Sequence, residues 1–127
     1  MDMESGDLLL VEVQPVRRDA VMVRLKGEVD ISSAHLLTSQ FSTLAASTHS
    51  SVILDATEVT FIDSTGLHAL VEGKRALHDN GSRIFLVPSR QVRRVLELVF
   101  PDPLFAFRLD SVDEALGMLD EESAEPA

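Results

Sequence analysis

The chain contains no cysteine, no tryptophan and no tyrosine. Without cysteine there is no disulfide framework, no zinc–thiolate site and no cysteine nucleophile. Six phenylalanines are the only aromatics among 127 residues, which argues against a stacking platform for single-stranded nucleic acid. Basic charge is scarce as well: eleven Lys and Arg stand against twenty-one Asp and Glu, a formal net charge of −10. Direct binding to nucleic acid or to an anionic membrane surface is therefore not expected. No apolar run approaches the roughly 20 residues of a membrane-crossing helix. The opening Met1-Asp2-Met3-Glu4-Ser5 is acidic, the opposite of a secretory leader. A cytoplasmic protein is the expectation.

Hydrophobic residues make up 45% and charged residues 25% of the chain, the balance of a globular domain, and the length suits a single one. The acidity is concentrated at the ends. Residues 1–7 carry three acids and no base, residues 120–127 carry four acids and no base, and the stretch between holds fourteen acids and eleven bases. We therefore expect an acidic N-terminal tail over 1–7, one domain over 8–119 and an acidic C-terminal tail over 120–127, with both tails frayed and solvated.

Within the domain, strand and helix patterns alternate. Leu8 to Val13 is a mostly apolar run, and Val21, Val23 and Leu25 alternate with Met22, Arg24 and Lys26. Separated by Gln14 to Asp19, these segments predict an antiparallel hairpin, with Gly27 ending its second strand. Leu37, Phe41, Leu44 and Ala45 share one helical face, with Ser32 or Ser33 placed to cap it. Val52-Ile53-Leu54 has no polar alternation and predicts a strand covered on both faces, left through Asp55 to Glu58. A helix begins near Asp63-Ser64-Thr65-Gly66, buries Leu67, Leu70, Val71 and Leu77, and stops at Asn80-Gly81. Arg83 to Val87 predicts a strand and Val92, Val95, Leu96 and Val99 a helix. Leu104 to Leu109 predicts a last strand, and Val112, Ala115, Leu116 and Leu119 a last helix, with capping-box spacing at Ser111 and Glu114. The fold class is α/β: a mixed sheet of about five strands with an N-terminal antiparallel hairpin and about four packed helices.

Catalytic motifs fail in detail. His35, His49, His68 and His78 contain no i, i+4 pair of the kind that binds metal on a helix, and they read as solvated surface residues. Ser64 lacks the upstream glycine of a nucleophile elbow, since Ile62 stands there. The sole Gly-Lys pair, Gly73-Lys74, is followed by Arg75 and lacks the upstream glycine of a phosphate loop. No enzyme activity, metal or cofactor is expected. Arg90, Arg93 and Arg94 read as one solvated helix face. Taken alone, Asp63-Ser64-Thr65-Gly66 reads as a helix cap in which glycine permits a tight approach.

The longer stretch from Val52 through Asp55, Phe61-Ile62-Asp63-Ser64-Thr65-Gly66 and Leu67 closely resembles the core signature of the STAS domains, the sulphate-transporter and anti-sigma-factor-antagonist family. Leu25-Lys26-Gly27-Glu28-Val29-Asp30 resembles the family's second recurring piece, where a strand leads into the first helix. The resemblance covers about residues 8–119 and is nearest to the stand-alone anti-sigma factor antagonists. It implies that Ser64, directly after the motif aspartate, is the phosphoacceptor. It implies an anti-sigma factor serine kinase as partner, sequestered by the unphosphorylated protein and released on phosphorylation, and a serine phosphatase that resets the switch. Asp30, Asp63, Ser64, Thr65, Gly66 and His68 form the expected partner-binding surface. His68 stands where antagonists often have glycine. The competing expectation is a STAS scaffold or transport-accessory subunit that binds partners without phosphorylation.

Overall fold

In the computed structural model the residues described are 2–5, 9–17, 19–47, 51–99 and 110–124. They form strands β1 (Asp2–Ser5), β2 (Leu9–Arg17) and β3 (Ala20–Val29), helix α1 (Ala34–Ala45), strand β4 (Ser51–Ile62), helix α2 (Ser64–Asp79), strand β5 (Arg83–Pro88) and helices α3 (Arg90–Val99) and α4 (Val112–Ala124). The strands make one mixed sheet in the order β1-β2-β3-β4-β5. β1, β2 and β3 are antiparallel neighbours, and β3, β4 and β5 run parallel. The predicted hairpin is β2–β3, and the crossover helices α1 and α2 connect the parallel strands.

Side-chain alternation sorts the sheet into two faces. Val21, Val23, Val52, Leu54, Ile84 and Leu86 turn toward one side and share a core with Leu37 and Phe41 of α1, Leu70 and Leu77 of α2, and Val92 and Leu96 of α3. Met22, Ile53, Phe85 and Val87 turn the other way, against Ala115 and Leu119 of α4. This explains the unbroken Val52-Ile53-Leu54 run: all three are fully buried, one on the α4 side and two on the other. Full burial of each stabilises the fold by about 1.5–3 kcal/mol.

Five sequence expectations are corrected. The first 7 residues are not merely a tail: Asp2–Ser5 pairs along β2, from Asp2 opposite Val13 to Ser5 opposite Leu10. Edge pairing draws on main-chain groups, so an acidic, non-alternating sequence does not forbid it. At the other end α4 runs on to Ala124, five residues past the expected boundary at 119, and Asp120 receives a hydrogen bond from Arg17 Nε at 2.7 Å. That charge-assisted bond holds the Asp120 carboxyl below its ordinary pKa. β3 continues through Gly27 to Val29, and β4 through Asp55 to Ile62, because register shifts between Arg24 and Lys26 and between Gly27 and Glu28 absorb the irregular residues. β2 likewise passes Pro15 at a register shift, one of the places a sheet accepts proline. The expected strand Leu104–Leu109 lies outside the described residues.

One buried carboxylate stands within the sheet. Asp55, 4% exposed, sits opposite Arg24 and accepts from its Nε at 3.2 Å and from Thr57 Oγ1 at 2.6 Å. Arg24 Nη1 also lies 3.7 Å from Glu12. The paired guanidinium and hydroxyl supply the contacts that a buried charge requires.

α1 and α2 meet at a contact with no room for a side chain. A Cβ on Gly73 would lie 2.0 Å from the Phe41 ring. Gly73→Ala should therefore destabilise the protein by about 1–3 kcal/mol despite alanine's better helix propensity. Phe41→Leu in the same chain should recover part of the loss. A double-mutant cycle in urea checks both, and additive effects would show that the contact is not the cause.

Candidate functional site

The site lies where β3 and β4 end side by side. Val29 pairs with Ile62 as the last register pair, and the Asp63 N–H donates to the Val29 carbonyl at 3.2 Å. One chain then turns toward α1 through Asp30 while the other enters α2 at Ser64. The two motif segments, more than thirty residues apart in sequence, thus leave the sheet together.

Helix α2 begins here for local reasons. Asp63 is its N-cap, with extended backbone and a side chain that accepts from the Gly66 N–H at 2.9 Å. Ile62 just before the cap and Leu67 at the start of the second turn belong to the same apolar core, the arrangement of a hydrophobic staple. Gly66 is demanded by packing: a Cβ there would stand 2.1 Å from the Val29 carbonyl oxygen. The far end closes at Gly81, with φ of +90°, where the Gly81 N–H bonds the His78 carbonyl and the Ser82 N–H the Leu77 carbonyl, a Schellman stop. Asn80 adds a side-chain bond to the Ala45 carbonyl.

Asp30 organises the facing turn. Its Oδ1 accepts from Ser32 Oγ at 2.7 Å, from Ser32 N–H at 2.9 Å and from Ser33 N–H at 3.2 Å, an Asx turn. Its carbonyl accepts from Ala34 N–H at 2.8 Å. Ser33 is the N-cap of α1, yet its hydroxyl donates to the Glu28 carbonyl instead of serving the helix. The Ser32 hydroxyl, with Ser33 and the two N–H groups adding to it, holds the Asp30 carboxyl below the ordinary aspartate pKa.

Between these ordered turns, Ser64 and Thr65 are exposed. The Ser64 hydroxyl has no hydrogen-bond partner among the described residues, in contrast to Ser32 and Ser33 beside it. His68 is exposed one turn further along α2. The structure therefore gathers Asp30, Asp63, Ser64 and Gly66 at one end of the sheet, gives Asp63 and Gly66 structural tasks, and leaves Ser64, Thr65 and His68 facing solvent.

Two residues beside the site escaped the sequence reading. Ile31 is 79% exposed and Phe61 41% exposed, two of the three large apolar side chains left open among the described residues. Ile31 follows Asp30 directly, and Phe61 pairs with Glu28. Phe61 stands in an apolar stretch that reads as core, and Ile31 is a lone apolar residue between Asp30 and Ser32. Only the interruption of alternation at Thr60-Phe61-Ile62 signals that one of them must point out. No group of three His, Cys, Asp or Glu placed to hold a metal occurs among the described residues, and no described helix is long and apolar enough to cross a membrane.

The close approach at Gly66 is testable. Gly66→Ala should destabilise the protein by about 3 kcal/mol because the obstacle is backbone, and Asp63→Ala by about 1 kcal/mol through loss of the cap; urea unfolding measures both. Asp30 should titrate below an unstructured aspartate by carboxyl-carbon NMR, and Ser32→Ala should raise its midpoint. Because the folded pKa is the lower one, its stabilising effect is present above the unfolded pKa and disappears as pH falls through the folded value.

The comparisons with known proteins fit this geometry. The family model described as the STAS domain matches residues 10–115. The anti-sigma factor antagonist SpoIIAA in its unphosphorylated form superposes with a TM-score of 0.71 at 24% identity, covering 92% of this chain and 99% of its own. Its phosphorylated form, from Bacillus, gives 0.69 at 23%, covering 86% and 98%. An anti-sigma factor antagonist from Mycobacterium paratuberculosis gives 0.78 at 22%, covering 91% and 97%. A sulfate transporter family protein from Wolinella succinogenes gives 0.74 at 23%, covering 88% and 93%. With the signature Asp63-Ser64-Thr65-Gly66 at the junction of β4 and α2, and the family match spanning most of the domain, the chain belongs to the STAS domain family.

Proposed function

We propose that this protein is an anti-sigma factor antagonist: a binding module that captures an anti-sigma factor serine kinase when unphosphorylated and releases it once Ser64 carries a phosphate. The observation that carries this reading is the Ser64 hydroxyl, exposed and without a hydrogen-bond partner among the described residues, at the head of a helix whose cap is already made by Asp63. A kinase reaching it breaks no hydrogen bond made by that hydroxyl among those residues. The likeness to antagonists solved with and without phosphate supports the same reading.

The chemistry is a phosphoryl transfer. The Ser64 oxygen forms a bond to the γ-phosphorus of ATP, the bond to the β-phosphate oxygen breaks, ADP leaves and the hydroxyl proton is released. A phosphate at the first position of a helix meets free N–H groups and the positive end of the dipole, so the fold tolerates it. The contact surface does not. The group adds about −1.5 to −2 charges beside Asp63 and near Asp30 and Glu28, and it is heavily hydrated where Ile31 and Phe61 offer apolar contact. Moving a partner from 99% bound to 1% bound takes about 5.5 kcal/mol of differential affinity. A phosphate that must be desolvated in a close interface, or else holds it open, is of the right order.

The phosphorylation reading has a direct check. The protein incubated with ATP and extract of its source cells should gain one phosphate, mapped to Ser64 by peptide mass spectrometry and absent from Ser64→Ala. Ser64→Ala should keep partner binding, while Ser64→Glu should weaken it at least tenfold in a pull-down or calorimetric titration. Binding unaffected by Ser64→Glu, with no phosphate incorporated beside an active control antagonist, would favour the scaffold or transport-accessory reading.

A further inference from the structure

Ser64 and His68 stand one helical turn apart on α2 and both face solvent. Residues at this spacing are neighbours, with Cβ atoms about 5–6 Å apart. The Cα–Cβ bonds of a helix tilt toward its N-terminus, so the imidazole of His68 leans back over the turn that begins at Ser64. Among the described residues no hydrogen bond or ion pair occupies either side chain.

We propose that His68 is a positioning residue for the phosphorylated state: its imidazolium pairs with the phosphate on Ser64 and makes that state pH-sensitive. The inference rests on the reading of Ser64 as phosphoacceptor. A phosphoserine takes its second charge with a pKa of about 6. A neighbouring cation favours the dianion and so lowers the phosphate's second pKa. The pair weakens as pH falls and the phosphate gains a proton.

The other charges near α2 leave this pairing intact. On the helix itself, Asp63 is engaged as the cap, and Glu72, four residues beyond His68, lies 3.8 Å from Arg75. Of the elements packed against α2, α1 offers only His35, the end of β3 nearest the site offers Lys26 and Glu28, and the matching part of β4 offers Glu58. Arg83 begins β5 at the opposite end of the sheet, opposite Ser51. Glu28, Asp30 and Asp63 surround the phosphate with negative charge, so His68 is the cation best placed on α2 to offset it.

The test uses the full chain with phosphoserine installed at position 64 by genetic code expansion, which needs no kinase. The phosphorus NMR midpoint of the second ionisation is compared between that protein and its His68→Gln and His68→Lys variants. With His68 present the midpoint should lie about half a unit lower than in His68→Gln, roughly a threefold preference for the dianion. His68→Lys should restore the low midpoint. Equal midpoints in the three proteins would overturn the pairing and leave the phosphoacceptor reading untouched. Absence of kinase-dependent phosphate on Ser64 would remove that reading while leaving the pair measurable.

Discussion

Everything at the functional end of this molecule depends on how closely the start of α2 approaches the last residue of β3. The Val29 carbonyl receives the Asp63 N–H and lies within 2.1 Å of where a Gly66 side chain would begin. That contact fixes two chain turns against each other. The Val29–Ile62 pairing brings Asp30 and Ser64 out of the sheet together, and this contact sets how closely their turns pack. With it, a carboxylate held by three donors in one turn and a hydroxyl without a partner among the described residues at the head of the next stand side by side. The glycine is thus a spacing device: its missing methyl sets the distance between the turn at Asp30 and the head of α2.

The fold divides its tasks by face and by end. Both faces of the sheet are covered, by α1, α2 and α3 on one side and α4 on the other, and the parallel strands β3 and β4 run their carboxyl ends past the end of β5 toward the site. Ligand-facing residues of open α/β sheets commonly gather at such carboxyl ends. Stability comes from the apolar layers and from the Arg24–Asp55 pair at mid-sheet. The site itself adds capping bonds and little burial, which leaves its surface free to change charge without disturbing the core.

Much of this was legible in the sequence, for physical reasons that differ by element. The stripes of α1 and α2 and the unbroken β4 run survive translation because burial dictates residue type there. Gly66 was readable as a tight approach, since a glycine at the third position of a capped helix has few other uses. The long β3 and β4 were not: Gly27 and Asp55 to Glu58 look like stops, and the register shifts that carry the strands through them are backbone adjustments with no composition of their own. β1 was invisible because edge pairing is made by main chain. Ile31 and Phe61 were missed for the opposite reason. Hydropathy marks them as interior, and only the three-dimensional edge of the sheet shows that nothing in the described chain covers them. Ser64 and Asp30 could be named from motif resemblance, but the difference between them, one bonded in its turn and the other without a partner among the described residues, required the hydrogen bonds.

Helix α2 is clamped at both ends, by Asp63 and Val29 at its head and by the Schellman stop and Asn80 at its tail. Under the proposed function, a phosphate on Ser64 would sit on a helix held at both ends, so it would act as a chemical label that a reader must touch to learn the state. Such a memory would not fade through motion of that helix. Its lifetime would be set by the chemistry that removes the label, so one copy could hold its state through many encounters with partners.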